Sequence, residues 1–192
     1  REFGRIASEE YRALGIATAL SPQIDLGTEP RWSRISGTFG EDPQLSADMA
    51  RAYVDGFQTS SGDKEISGGW GYHSVNAMVK HWPGGGPEEA GRDGHFAYGK
   101  YAVYPGNNLD DHLYPFINGA FKLEQGTGMA SALMPYYTIS WNQDTLNNEN
   151  VGNAYSSYFI NDLLRKRYGY DGVVCTDWGI TNDESPDITN MM

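Results

Sequence analysis

Residues 169–179, GYDGVVCTDWG, place a carboxylate directly after a short apolar segment. Val173, Val174 and Cys175 lie between turn residues, which predicts a strand that is buried on both faces. A carboxylate at the end of such a strand is costly to bury unless it has a partner or a use. Asp177 is therefore a candidate catalytic side chain, although capping of a following helix explains an isolated aspartate equally well. Trp178 favours the catalytic interpretation, because an aromatic ring beside a carboxylate suits a sugar-binding pocket.

Further polar and aromatic side chains follow three other segments that predict strands. They are Asp25 with Arg31 and Arg34, then Lys80 with His81, then Tyr136 with Tyr137. In a sheet of parallel strands these residues gather with Asp177 and Trp178 at one rim, where catalytic groups of barrel enzymes lie. Such a rim suits a neutral ligand that carries many hydroxyl groups, because charged side chains bond hydroxyls strongly and aromatic faces cover C–H groups.

Alternating helices and strands are expected to position this rim. Apolar periodicity predicts helices at residues 1–14, 44–58, 112–124 and 152–167, and strands at 15–26, 75–82, 129–137 and 173–175. Strict alternation predicts a parallel sheet covered by helices. Four strands are half of a closed (β/α)8 barrel, so the expected fold is α/β, a partial (β/α)8 barrel. Both chain ends suggest a domain that is truncated at each end.

Composition indicates one domain and excludes several classes of partner. The chain has 192 residues, of which 39% are hydrophobic, enough for one sizeable core. Its formal net charge of -11 argues against nucleic acid and against an anionic membrane surface as partners. No apolar segment has the length of a membrane span, and no signal peptide is visible. The compartment stays open on this basis.

Cysteine and histidine spacing gives no reason to expect a metal or another cofactor. Neither a Cys-x-x-Cys nor a His-x-x-x-His pattern occurs. Cys175, the single cysteine, is expected to be a buried thiol in a core strand. His73, His95 and His112 are expected on loops or helix surfaces rather than as ligands.

Four segments resemble motifs of glycoside hydrolase family 3, and they occur in that family's order. They are PRWSR followed by GTFGEDP, KHWPGGG at 80–86, LMPYY at 133–137 and DGVVCTDWG at 171–179. The resemblance covers almost the whole chain. It implies a retaining, exo-acting β-glycosidase that removes terminal β-linked glucose or a similar sugar from an oligosaccharide or glycoside. It further implies that residues 1–192 form part of the N-terminal barrel domain, with the following α/β sandwich domain outside this chain.

The resemblance also implies roles for individual side chains. Asp177 matches the catalytic nucleophile. Contacts with the sugar or with the surroundings of the nucleophile are implied for five more residues: Arg34, Lys80 and His81 at the sugar, Tyr137 close to the nucleophile, and Trp178 lining the pocket. Trp32 is the second tryptophan expected to line the site. Relatives of this kind suggest a periplasmic or secreted protein.

The second carboxyl of the reaction is harder to place. A retaining glycosidase needs an acid/base about 5 to 5.5 Å from its nucleophile. The loop after His81 offers Glu88, Glu89 and Asp93, but a charged surface loop explains these residues adequately. In the family the acid/base usually comes from the sandwich domain, so this chain alone is expected to be inactive.

Three alternatives to β-glucoside hydrolysis stay open. They are a β-xylosidase, a phosphorylase in which phosphate replaces water, and a noncatalytic carbohydrate-binding role. The segment KHWPGGGPEEAGRDGH lacks the KHFPGHG…DSH arrangement of the family's N-acetylglucosaminidase branch, which favours the glucosidase-like or xylosidase-like branch.

Overall fold

The computed structural model describes residues 1–180, and eight strands lie within them. In chain order they are β1 Thr18–Ala19, β2 Glu65–Ser67, β3 Trp70–Gly71, β4 Asn76–Trp82, β5 Tyr101–Ala102, β6 Ala132–Pro135, β7 Ile139–Ser140 and β8 Val173–Val174. The principal sheet has the order β1-β4-β6-β8, and every pairing in it is parallel. The predicted alternation of helices with parallel strands is confirmed. Within residues 1–180 these four strands form an open sheet rather than a closed barrel.

Four helical segments cover this sheet within the described residues. They are the α-helices α1 Glu2–Ala13, α2 Pro43–Gln58 and α3 Leu109–Tyr114, and a π-helical segment at Tyr158–Arg167. Helix α2 begins where it was predicted, because Asp42 accepts a hydrogen bond from the backbone N–H of Leu45 and Pro43 suits the first turn. Helix α3 continues into a π-helical segment, Pro115–Ala120, so the helical turns begin and end earlier than the apolar pattern predicted.

The three- and four-residue spacing of Phe3, Ile6, Ala7, Tyr11 and Leu14 predicts one buried apolar face on the first helix. In the structure, α1 and α2 pack through small residues instead. Gly4 and Gly56 meet so closely that a Cβ on either would contact the backbone of the other helix. Ala7 and Tyr11 pack against the core as expected, but Phe3 and Leu14 are exposed. The apolar pattern therefore located the helix correctly and part of its buried face wrongly.

Two short pairings lie in segments that were predicted as loops. Strands β2 and β3 form an antiparallel hairpin, and β5 pairs with β7 in parallel. Each has only two or three residues, too few to show an alternating pattern. The β5–β7 pairing fixes the end of the long loop that follows β4 to the segment that follows β6.

The main core lies between the sheet and its helices. Trp82 is fully buried there, packs edge-on against Phe116 at a centroid distance of 5.3 Å, and donates its indole N–H to the carbonyl of Phe159. A smaller cluster of Trp32, Tyr136, Tyr137 and Ile180 lies beneath the rim of the sheet.

Two predictions about burial are wrong. The strand at residues 173–175 is not buried on both faces: Val173 and Cys175 are exposed, because β8 lies at the edge of the sheet and pairs with β6 alone within the described residues. His112 is buried rather than on a helix surface, because Gly84 packs directly against its side chain.

Candidate functional site

A cavity of about 530 Å³ opens at the carboxyl ends of the parallel strands. It is lined by residues from four strand ends and from two loops: Leu20, Arg34, Lys80, His81, Asp93, His95, Phe96, Met134, Asp177 and Trp178. Five of the six side chains that the sequence singled out for the site therefore line one cavity, and Tyr137 lies behind its wall.

A buried carboxylate organises the floor of this cavity. Asp25 has no exposed surface, and its Oδ2 lies 2.7 Å from Nδ1 of His81. Its Oδ1 accepts the backbone N–H groups of His81 at 2.9 Å and Gly85 at 2.6 Å. Burial alone would raise the pKa of Asp25, but the groups of His81 and Gly85 that face it lower that pKa. Asp25 therefore stays ionised and fixes the position of His81.

The hydrogen bonds of His81 define its tautomer. Burial lowers the pKa of the His81 ring and outweighs the opposing effect of Asp25, so the ring is neutral at pH 7. Nη1 of Arg34 lies 3.3 Å from Nε2 of His81, and a guanidinium can only donate. Nε2 is therefore the acceptor, and Nδ1 carries the proton that it donates to Asp25. This network holds Arg34 at the edge of the cavity.

Lys80 precedes His81 on β4 and lines the same cavity; the peptide bond between them is cis. Burial lowers the pKa of Lys80, and the positive charge of Arg34 lowers it further. The charges of Asp177 and Asp25 act in the opposite direction. Lys80 thus feels the charges of Arg34, Asp177 and Asp25, and it lines the cavity that a ligand would enter.

Asp177 presents one hydrogen-bonded oxygen and one free oxygen. The side chain is only 6% exposed. Oδ1 accepts the backbone N–H of Trp178 at 2.8 Å, while Oδ2 has no hydrogen-bond partner among the described residues. Oδ2 lies 3.8 Å from Nε2 of His81. A buried carboxylate oxygen without a partner is costly, and such costs are common where a side chain serves chemistry.

Two aromatic side chains support Asp177 in different ways. Trp178 is 76% exposed and covers one side of the cavity. The hydroxyl of Tyr137 donates to the carbonyl of Trp178, and its ring packs against His95 at a centroid distance of 4.6 Å. Tyr137 therefore anchors the turn that carries Asp177.

Two residues that were expected at the rim lie elsewhere. Trp32 is fully buried against Tyr136 and Tyr137, so the prediction that it lines the site is wrong. Its ring fills the space behind the cavity wall. Arg31 points to solvent and pairs with Glu29, with Nη2 2.8 Å from Oε2.

The pairing of Asp93 with His95 was not predicted from the sequence, whereas Asp25 lies at the rim where it was expected, as the partner of His81. Oδ1 of Asp93 lies 2.6 Å from Nδ1 of His95, and Oδ2 accepts the hydroxyl of Ser33 at 3.1 Å. These bonds from His95 hold the pKa of Asp93 well below its usual range. The useful signal was an aspartate two residues before a histidine, because the Asp93 carboxylate accepts the backbone N–H of His95 as well as facing its ring.

The loop carboxyls that were weighed as acid/base candidates differ sharply. Glu88 is buried in the wall of a neighbouring cavity of about 390 Å³, and burial raises its pKa to about 9. Glu89 is partly exposed, with Oε2 3.6 Å from Nη1 of Arg92. Asp93 does line the cavity of Asp177 but is held ionised. None of the three is both protonated at neutral pH and placed in that cavity.

Three consecutive glycines allow the chain to pass beneath the site. A Cβ at Gly86 would overlap the carbonyl oxygen of Leu26, and a Cβ at Gly85 would lie 3.1 Å from Oδ2 of Asp25. Gly84 has φ +140°, which other residues rarely adopt. The glycines therefore let the N–H of Gly85 reach the carboxylate of Asp25.

Residues 1–180 contain neither a candidate metal centre nor a candidate membrane-spanning helix. The His, Cys, Asp and Glu side chains there form no group of three or more that could hold a metal ion. No helix in that range is both long and apolar enough to cross a bilayer.

Comparison with known families and sequences gives a consistent result. The profile described as glycosyl hydrolase family 3 N terminal domain matches residues 1–189. The chain is 47% identical over 187 residues to beta-glucosidase C of Emericella nidulans, covering 95% of this chain and 27% of that protein. It is also 47% identical to a periplasmic beta-glucosidase/beta-xylosidase of Dickeya chrysanthemi, covering 95% of this chain and 26% of that protein. The chain thus spans about a quarter of the length of these relatives.

Solved structures share the fold. A glycoside hydrolase family 3 beta-N-acetylglucosaminidase from Paenibacillus superposes with a TM-score of 0.73 at 30% identity, over 92% of this chain and 29% of that one. A β-glucosidase involved in saponin metabolism from intestinal bacteria also gives a TM-score of 0.73, at 27% identity, over 92% of this chain and 20% of that one.

Proposed function

The chain belongs to glycosyl hydrolase family 3, and from this premise we propose that the protein of which it forms part is a retaining, exo-acting β-glycosidase. Its substrate is an oligosaccharide or glycoside with a terminal β-linked glucose, and Asp177 is the nucleophile. The observation that carries the proposal is the convergence of Asp177 with Lys80, His81 and Arg34 on one cavity.

The first chemical step uses the free oxygen of Asp177. Oδ2 attacks the anomeric carbon, and the bond from that carbon to the leaving-group oxygen breaks. The leaving group takes a proton from an acid/base that we place outside residues 1–180, because none of the loop carboxyls Glu88, Glu89 and Asp93 is suited to that role. Water, activated by the same group, then releases the sugar from Asp177 with net retention.

The other residues of the cavity bind the sugar. Lys80 and Arg34 donate to hydroxyl groups, and charge-assisted bonds of this kind are stronger than neutral ones. His81 is held by Asp25, so it meets the sugar without reorganising. Trp178 covers an apolar face of the ring.

A second activity, on β-xylosides, is favoured by one of the relatives. The Dickeya chrysanthemi protein is named for both glucosidase and xylosidase activity, at the same 47% identity as the fungal relative. We therefore include terminal β-linked xylose among the candidate substrates.

The test compares the complete protein with its Asp177→Asn variant on nitrophenyl β-glucoside and β-xyloside. We expect turnover to fall on the order of 10⁴-fold, because the nucleophile is lost. Sugar binding, measured by calorimetry with an unreactive glucose analogue, should change little. The matched control is Asp171→Asn, which alters an exposed carboxylate in the turn before β8 and should leave turnover unchanged.

Substantial activity in Asp177→Asn contradicts the assignment. Running each assay with and without inorganic phosphate separates hydrolysis from phosphorolysis, since only a phosphorylase yields a sugar phosphate. Binding without turnover in the complete wild-type protein would instead indicate a carbohydrate-binding role.

A further inference from the structure

An aromatic pair stands in solvent at the mouth of the Asp177 cavity. Phe96 and Tyr98 lie in the loop between β4 and β5, and their rings are stacked at a centroid distance of 5.3 Å with 7° between their planes. Phe96 is 48% exposed and lines the cavity, and Tyr98 is 64% exposed. Large apolar groups exposed together at a cavity commonly mark a binding surface.

The exposure of this pair is unusual in the described part of the chain. Two other aromatic pairs there are stacked, Tyr53 on Phe57 and Phe121 on Tyr170. Both of those pairs pack within the main core or against it. Stacking of Phe96 on Tyr98 therefore contributes nothing to the core, and it leaves one face of the pair free for another ring.

The turn that carries the pair is held in place without a ligand. The backbone N–H of Phe96 donates to the carbonyl of Asp93, and the N–H of Gly99 donates to the carbonyl of Phe96. Gly99 packs so tightly that a Cβ there would overlap the carbonyl of Asp93. Asp93 is itself bonded to Ser33 and His95. A fixed aromatic surface binds a ring at little conformational cost.

The cavity is divided between polar and aromatic surfaces. Arg34, Lys80, His81 and Asp177 supply charged or polar groups, whereas Phe96 presents an apolar face beside them. Such a division suits a ligand of two parts: a hydroxyl-rich sugar at the polar side, and a second ring across the bond that breaks.

We propose that Phe96, backed by Tyr98, is the binding platform for the leaving group of the substrate. The site takes a leaving group with a flat apolar face, either a second pyranose ring or an aromatic aglycone. This assignment rests on the proposed function and adds a specificity determinant to it. Aromatic contacts of this kind contribute about 1 kcal/mol, so the platform affects preference rather than permitting reaction.

The experiment uses the complete protein and two substrates that differ only in the leaving group. One is a β-linked glucose disaccharide, and the other is β-glucosyl fluoride, whose leaving group has no ring. We expect Phe96→Ala to lower kcat/KM for the disaccharide by about fivefold and for the fluoride by less than about twofold. Tyr98→Ala should lower the disaccharide value by about threefold, and Phe96→Trp should retain it.

A matched control is Tyr72→Ala, which removes an exposed aromatic ring on a turn outside the cavity. It should leave kcat/KM unchanged for both substrates. Equal losses on both substrates with Phe96→Ala, or no loss on the disaccharide, overturn the platform. If Phe96→Ala lowers the melting temperature and lowers kcat/KM equally for both substrates, the pair contacts another part of the protein. That result also overturns the platform. Failure of the proposed function shows separately, as activity retained in Asp177→Asn.

Discussion

The carboxyl ends of β4 and β8 both contribute to the candidate site, but they are held in different ways. At the end of β4, His81 is fixed by a fully buried carboxylate, a guanidinium and the backbone of the glycine segment. At the end of β8, a strand at the edge of the sheet, Asp177 is held by the N–H of its neighbour and by the anchor from Tyr137 to Trp178. The sugar-binding side is therefore held by a buried network of several long-range bonds, and the nucleophile side by one local bond and one long-range bond to the neighbouring backbone.

The difference shows which groups of the site must be held rigidly. A group that binds hydroxyls must keep its geometry before the ligand arrives, because reorganisation costs affinity. A nucleophile must instead keep one oxygen free, and Oδ2 of Asp177 has no hydrogen-bond partner among the described residues. Substitutions on the β4 side should consequently damage both folding and binding, and those on the β8 side mainly activity.

Asp25→Asn should have the largest effect of these changes, and it tests whether the β4 side is one cooperative network. The amide has one acceptor oxygen and presents N–H groups to the donors of His81 and Gly85, so a buried polar network is left unpaired. We expect the free energy of unfolding to fall by about 3 kcal/mol and kcat/KM of the complete protein to fall on the order of 100-fold. Urea denaturation and steady-state kinetics measure the two effects.

Asp63→Asn is the control for this change, because Asp63 is exposed in a short turn before β2. A loss of activity in Asp25→Asn without any loss of stability would contradict the view that the β4 side is one cooperative network.

Glu88→Gln is expected to stabilise the protein, in contrast to Asp25→Asn. Burial raises the pKa of Glu88 to about 9, so the folded protein keeps a proton that the unfolded chain loses above its ordinary pKa. Stability from this group is complete below that ordinary pKa and is lost as the pH rises towards about 9. At pH 7 the uncharged glutamine should therefore stabilise the protein by about 2 kcal/mol.

The free energy of unfolding is measured between about pH 5 and pH 9, because Glu88 is protonated in the folded protein and ionised in the unfolded chain over this range. Glu89→Gln changes the adjacent, partly exposed residue and should retain the decline of the wild type. If Glu88→Gln declines as steeply as Glu89→Gln, the carboxyl is ionised in the folded protein and the expectation is wrong.

Tyr137→Phe is the smallest of these changes and tests the β8 side. It removes the hydroxyl that donates to the carbonyl of Trp178 and retains the ring packed on His95. A hydrogen bond of this kind contributes about 1 kcal/mol, so kcat/KM should fall about fivefold while the melting temperature changes little. Tyr72→Phe, at an exposed tyrosine, serves as the control. A larger effect on stability than on activity would show that β8 is held as firmly as β4.

Elements with a long or repeated sequence pattern could be predicted from the sequence. Features that depend on contacts between distant segments could not. Strand β4 was predicted within one residue because its seven residues are long enough to show a pattern, with apolar side chains at Ala77–Val79 and Trp82. The fold class followed from alternation, and the family from four ordered motifs. The two-residue strands β5 and β7 have no pattern to detect.

The remaining components of the site depend on partners distant in sequence. Asp25 could be placed near the rim, but its bonds to His81 span 56 positions and have no local signature. The burial of His112 and Trp32 and the exposure of Cys175 likewise depend on which segments pass over them, which a single sequence does not encode in its local composition.

The glycine segment at residues 84–86 sets a boundary for protein engineering. A library that introduces side chains there displaces the Leu26 backbone and separates Asp25 from its donors. The turn that carries Phe96 and Tyr98 lies outside this constraint, since those side chains point to solvent. Selection for new acceptors or aglycones can therefore be directed to one wall of the cavity while the other is left intact.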